Sequence, residues 1–129
     1  MVKGRPVVAI VDRDASTRKS TETLLSAFGF NIELYCSSEE FLSASAATQA
    51  RCLLVNVELD HISGIELIRY LIQAGVNIPT VYICATRNEV AHRAAIELGC
   101  VAFLEKPFGS AQLIEAITTA TSTNPFFEK

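Results

Sequence analysis

The chain carries no excess of positive charge: its 11 Lys and Arg are outweighed by 14 Asp and Glu, for a formal charge of −3. That balance excludes the basic footprint of a nucleic-acid-binding domain. No secretion signal is expected either. The basic residues Lys3 and Arg5 are followed by only a handful of apolar residues before Asp12, too few for a signal peptide and far too few for a membrane span. A cytoplasmic location without membrane contact is the default expectation. Cys36, Cys52, Cys84 and Cys100 form no Cys-x-x-Cys pair, and each lies in or beside an apolar run. Buried free thiols are therefore expected, not disulfides or a zinc site. No glycine-rich phosphate loop follows the first apolar run, and no internal repeat, low-complexity tract or second domain is visible in the 129 residues. Whatever the chain does, it does with one site or one surface.

Half of the residues are hydrophobic and 19% are charged. A single core at this length removes about two-thirds of the unfolded surface from water, so one globular domain is expected. Three runs read as strands buried on both faces: the β-branched Val7 to Val11, Arg51 to Val57, whose apolar stretch is interrupted by the one amide of Asn56, and Thr80 to Cys84. Asn31 to Tyr35 alternates polar with apolar, as an edge strand does, and Val101 to Leu104 is a fifth. Between them lie helical stripes. Leu24, Leu25 and Phe28 precede Gly29, and Ser37 with Glu40 offers a capping box for a helix through Phe41, Leu42 and Ala47. Ile65, Leu67, Ile68, Leu71 and Ile72 form a third stripe that Gly75 closes, and a fourth helix runs to Leu98 with Gly99 as its cap. Ser110 is the expected N-cap of a last helix that turns Leu113, Ile114 and Ile117 inward. Thr118 to Lys129 reads as a fraying helix end followed by disorder around Asn124 and Pro125. Alternating strands and helices imply an α/β fold with a parallel sheet, covered on both faces and joined by right-handed crossovers.

In such a sheet, ligands and chemistry gather at the carboxyl ends of the strands. Those ends bring Asp12, Arg13 and Asp14 from the first strand, Asn56 from the third, Cys84 with Thr86 from the fourth and Lys106 from the fifth. Several motifs accompany them: Val11-Asp12, Ser63-Gly64-Ile65-Glu66-Leu67, Asn77-Ile78-Pro79, and Gly99 followed by Phe103-Leu104-Glu105-Lys106-Pro107-Phe108. With these, the sequence resembles a response-regulator receiver domain from Val7 to about Ala120. The resemblance implies a flavodoxin-like fold with strand order 2-1-3-4-5 and five helices, in a receiver-like domain over residues 1–121 and a flexible tail over 122–129. It also implies a phosphorylated aspartate at the third strand's end, an acidic pair holding Mg²⁺, a hydroxyl ending the fourth strand, and a lysine before a cis-proline.

Carried over by position, the acceptor falls on Asn56, the acidic pair on Asp12 and Arg13, the hydroxyl on Cys84, and the lysine on Lys106. Glu58 is a further remnant of the metal site. Phe103 falls on the family's switch aromatic, and Pro107 on the cis bond. Only Asp12 and Lys106 match, so the site is degenerate. An amide oxygen is uncharged and poorly nucleophilic, so phosphotransfer at Asn56 should be absent. Arg13 and Asn56 together make the site three charges more positive than the family pattern. A guanidinium about 4 Å from a Mg²⁺ position opposes it by roughly 8 kcal/mol at an effective dielectric constant near 20, so no metal and no other cofactor are expected. Arg13 is expected to pair with Asp12 or Asp14, or to lie across the vacant cation position against Asn56. Cys84 is expected as a small core residue whose thiol acidifies only if exposed near Lys106 and Arg13, and Glu58, Asp60 and His61 as a solvated loop.

The expected function is intracellular signal transduction by an atypical, phosphorylation-independent receiver without enzyme activity. It would contact a histidine kinase, an output domain or another regulator through its fourth helix, fifth strand and fifth helix, where Phe103 with Val90, Ala94 and Ile114 supplies the apolar part. The alternative is a small-anion or nucleotide-binding flavodoxin-like module, with Arg13, Lys106 and the helix amino ends attracting the anion.

Overall fold

The structure is a computed structural model and describes residues 2–122. Strands β1 (Val7–Val11), β2 (Asn31–Tyr35), β3 (Cys52–Asn56), β4 (Thr80–Cys84) and β5 (Ala102–Glu105) alternate with five helices. These are α1 (Ala15–Ala27), α2 (Ser38–Ala44), α3 (Gly64–Gln73), α4 (Glu89–Glu97) and α5 (Ser110–Ser122). All strand pairs are parallel, in the order β2-β1-β3-β4-β5. The predominantly apolar runs occupy the centre of the sheet, where every residue of β1, β3 and β4 is buried. The alternating run of β2 takes an edge, as its half-polar pattern dictates.

Because successive side chains of a strand point to opposite faces, the sheet divides the core in two. Ala9, Val11, Leu53, Val55, Tyr82 and Cys84 pack with Phe41, Leu67, Leu71 and Ala95 on the side of α2, α3 and α4. Val8, Ile10, Leu54, Val81 and Ile83 pack with Leu25, Leu113 and Ile117 on the side of α1 and α5. Gly64 opens α3 against the sheet, its amide donating to the Val57 carbonyl at 3.1 Å.

Local capping differs in detail from the sequence reading. Ser37 accepts from the Glu40 amide as expected, but the Glu40 carboxylate reaches back to the Cys36 amide, one residue earlier. The reciprocal box forms at Ser63 and Glu66 instead. Ser110 is not an N-cap but the first residue of α5; the Gly109 carbonyl accepts from Leu113, and the Gly109 amide donates to Gln112. Phe28 sits at the end of α1 and is exposed, while Phe30, past the left-handed Gly29, takes the core position. Helix α2 stops at Ala44, short of the expected Ala47. Thr118 to Ser122 is not frayed. Ala120 and Thr121 are buried there, and the Thr121 hydroxyl donates to the Ile117 carbonyl at 2.9 Å. Of the tail expected at 122–129, only Ser122 lies within the described residues, and it is helical.

Candidate functional site

Register builds the site. Val11 pairs with Val55, so the next residues, Asp12 and Asn56, leave the sheet side by side. Both are buried. The Asn56 amide nitrogen Nδ2 donates to Asp12 Oδ2 at 3.3 Å, and Asn56 Oδ1 accepts from the Glu58 amide at 2.9 Å. Asp12 Oδ1 accepts from the Asp14 amide at 2.9 Å, while Arg18 clamps the Asp12 main-chain carbonyl at 2.7 Å. Each carboxylate oxygen of Asp12 thus accepts one hydrogen bond. Asp14 is the N-cap of α1, accepting from the Thr17 amide and hydroxyl. Those two bonds, the hydroxyl's first, hold its carboxyl below the usual range, helped by the charges of Lys106 and Arg18.

Arg13 does not pair with Asp12 or Asp14, nor does it lie over the cation position. Its guanidinium swings outward to Asp60, Nη1 to Oδ1 at 2.8 Å, with both side chains more than half exposed. The reason is local: each neighbouring carboxylate already has its donors, whereas Asp60 offers a free acceptor in the loop after β3. An exposed pair of this kind contributes little stability, but it removes Arg13 as the repulsive charge opposing a metal. It equally removes Arg13 from the anion-binding alternative. What bears on Mg²⁺ is the donor set: a single buried carboxylate, Asp12, beside an amide, with the Glu58 carboxylate turned to the Ala85 amide. Mg²⁺ needs carboxylates and a near-octahedral shell that it does not readily distort, and these residues do not fit it.

Glu58 turns its carboxylate to the Ala85 amide at 3.2 Å, tying the loop after β3 to the end of β4. Cys84 is fully buried among the α2, α3 and α4 core residues. Burial, then the nearby carboxylates of Glu58 and Glu105, push its thiol above the ordinary cysteine value. In native protein at pH 7.5, iodoacetamide should label the exposed Cys36 and leave Cys84 unmodified, as read by peptide mass. Labelling of both at equal rates would contradict the buried placement. The Lys106 amide donates to the Cys84 carbonyl at 3.0 Å, and the Lys106–Pro107 peptide is cis. Phe103 is half-buried. Its ring stacks on His92 at 4.8 Å and lies 6.0 Å from Tyr82, while Val90 stands 81% exposed and makes no part of that cluster.

The structure therefore brings Asp12, Asn56 and Glu58 together, sends Arg13 to the rim, and seats Cys84 in the core. Sequence reasoning missed Arg18 and the helix-capping role of Asp14, although the Asp14-x-x-Thr17 spacing signals the latter.

A doubly wound parallel α/β domain with an acid and an amide at adjacent central strand ends, and a lysine before a cis-proline after the fifth, has the architecture of a flavodoxin-like domain. The chain belongs to the response regulator receiver domain family, whose model matches residues 8–118. The transcriptional regulatory protein FixJ of Rhizobium meliloti (strain 1021) is 33% identical over 114 residues, which are 88% of this chain and 56% of that protein. TdiR of Thauera aromatica, also a transcriptional regulatory protein, is 27% identical over 117 residues, 91% of this chain and 52% of its own. This chain thus spans about half the length of these relatives. The crystal structure of FixJ-N superposes with a TM-score of 0.84 at 32% identity, covering 92% of this chain and 95% of that one. A response regulator receiver protein from Burkholderia phymatum gives 0.80 at 30%, covering 93% and 98%. The protein is thus a receiver domain of the two-component response-regulator type, a class that generally works by signalling with histidine kinases and output domains. Among the described residues, no helix is long and apolar enough to cross a membrane.

Proposed function

We propose that this receiver signals without a phosphoryl group at Asn56 and without Mg²⁺, and that it presents the face formed by α4, β5 and α5 to a protein partner. One observation carries the reading. Asn56 donates to Asp12 and accepts from Glu58, a pairing that a carboxylate cannot make because it has no proton to donate. The amide thus stands where a nucleophile and metal ligand would be, and it ties the pocket shut by hydrogen bonds. The signal then comes from a partner, or from a conformation held permanently. On the proposed face, Arg87 joins Glu89 at 2.7 Å and reaches Glu105 at 3.9 Å, bracing the start of α4 against the end of β5. Exposed Val90 and the Phe103–His92 stack offer apolar surface beside that brace. The partner is a histidine kinase, an output domain or another regulator.

Incubation with Mg²⁺ and phosphoramidate, followed by intact mass, tests the proposal. The mass should not change over hours. A phosphoryl adduct on the peptides carrying Asp12 or Asn56 would overturn the reading.

A further inference from the structure

Three hydrogen bonds run in series across the carboxyl edge of the sheet, each donor leading towards Asp12. The Ala85 amide donates to the Glu58 carboxylate at 3.2 Å, the Glu58 amide to Asn56 Oδ1 at 2.9 Å, and Asn56 Nδ2 to Asp12 Oδ2 at 3.3 Å. Asp12 Oδ1 accepts in turn from the Asp14 amide, at the cap of α1. The series thus links the ends of β1, β3 and β4, strands that the sheet places side by side. Only a side chain that both accepts and donates can stand at its centre. Asn56 does both, and a carboxylate does not.

Glu58 is held before its side chain makes any contact. The Val57 amide donates to the Ile83 carbonyl at 2.8 Å and the Val57 carbonyl accepts from Gly64 at 3.1 Å. Asn56 then fixes the Glu58 amide itself. With the backbone already ordered, the bond to Ala85 costs mainly the rotamer freedom of one side chain, and a carboxylate is a stronger acceptor than a neutral oxygen. Ala85 opens the loop 85–88 that leads into α4. The far end of this loop is anchored too: Asn88 caps α4 by accepting from the Ala91 amide at 3.0 Å, and Arg87 joins Glu89 at 2.7 Å. One turn on, His92 of α4 stacks on Phe103 of β5 at 4.8 Å.

We propose that Glu58 is a positioning residue, an internal anion whose carboxylate locks the loop 85–88 and, through the start of α4, keeps the Phe103–His92 stack in one arrangement. Between a partner-driven switch and a conformation held permanently, the lock selects the second. The face formed by α4, β5 and α5 is presented at all times. That signalling meaning rests on the phosphate-independent reading given above, whereas the lock itself does not.

Amide hydrogen exchange and ¹⁵N relaxation dispersion test the lock. Exchange of the Ala85 amide should quicken about tenfold in Glu58→Ala, the equivalent of one hydrogen bond. In Glu58→Gln, which keeps an oxygen acceptor, it should stay within about threefold of the parent. The parent should show no dispersion at residues 85–92 or at Phe103, whereas Glu58→Ala should show microsecond-to-millisecond dispersion at those positions. Equal Ala85 exchange in the parent and Glu58→Ala would overturn the lock. Faster exchange at Ala85 with His92 and Phe103 silent would overturn its hold on the partner face. Dispersion at residues 85–92 of the parent would overturn the permanent presentation. A phosphoryl adduct at Asn56 would overturn the phosphate-independent reading and leave these exchange results as they are.

Discussion

Replacing Asn56 by aspartate lowers the stability of the domain by about 2 kcal/mol at pH 7. The substitution puts a second carboxylate 3.3 Å from Asp12 Oδ2 in a buried setting and deletes the hydrogen bond now there. Two unit charges at that distance repel by roughly 5 kcal/mol at an effective dielectric constant near 20. Solvent screening and side-chain relaxation offset part of it, which leaves about 2 kcal/mol. The pH dependence follows from the sign of the coupling. Two carboxylates sharing a site raise the pKa of the pair above its unfolded value, so the penalty is complete above the folded pKa and disappears below the unfolded one. Urea unfolding of Asn56→Asp and the parent protein should therefore show a gap at pH 7 that closes as the pH falls towards about 4. Adding Arg13→Asp widens the gap at pH 7, and millimolar Mg²⁺ then narrows it by binding the folded state alone. A gap that stayed constant from pH 7 to 4 would show that the pocket does not bring these two side chains together.

Gly64→Ala costs more, about 3 kcal/mol of a total that for domains of this size is about 5–15 kcal/mol. A Cβ at this position would lie 2.6 Å from the Asn56 carbonyl oxygen, 2.7 Å from Val55 Cγ1 and 3.2 Å from Val57 Cα. Two of those three contacts are to the backbone of β3 and its extension, which cannot turn aside as a flexible side chain can. Helix α3 must lift away from the strand that ends in Asn56, loosening the Leu67 and Leu71 packing with it. Gly109→Ala is the control, because a Cβ there meets nothing within 4 Å. Denaturation midpoints should fall sharply for the first variant and barely move for the second, with unchanged slopes. Equal midpoints would mean that α3 does not rest on β3 through this glycine.

The sheet was legible because its three central strands are predominantly apolar runs and its edge strand β2 alternates. Burial on two faces and on one leaves different patterns in the residues themselves. Asn56 and Lys106 were legible through the family pattern that surrounds them. The partner of Arg13 was not. Asp60 is 47 positions away, and nothing in the sequence reveals that both nearby carboxylates are already engaged by the Asp14 amide, Thr17 and Asn56. The end of α5 differs for a similar reason: Thr118, Thr119, Thr121 and Ser122 are weak helix formers, and the burial of Ala120 in the core and of Thr121 beside it favours the helix there. The buried Tyr82 hydroxyl, without a partner among the described residues, leaves no mark in the sequence either, since pairing is a property of the packed interior.

Magnesium with beryllofluoride, which mimics an acyl phosphate at a receiver aspartate, tests the account most directly. Amide spectra of the unmodified protein should show no saturable change at Asp12, Asn56, Cys84 or Lys106 when both are added, and Asn56→Asp with Arg13→Asp should respond at those four positions. Saturable shifts of Asn56 and Lys106 in the unmodified protein would contradict the claim that this pocket takes neither metal nor phosphate.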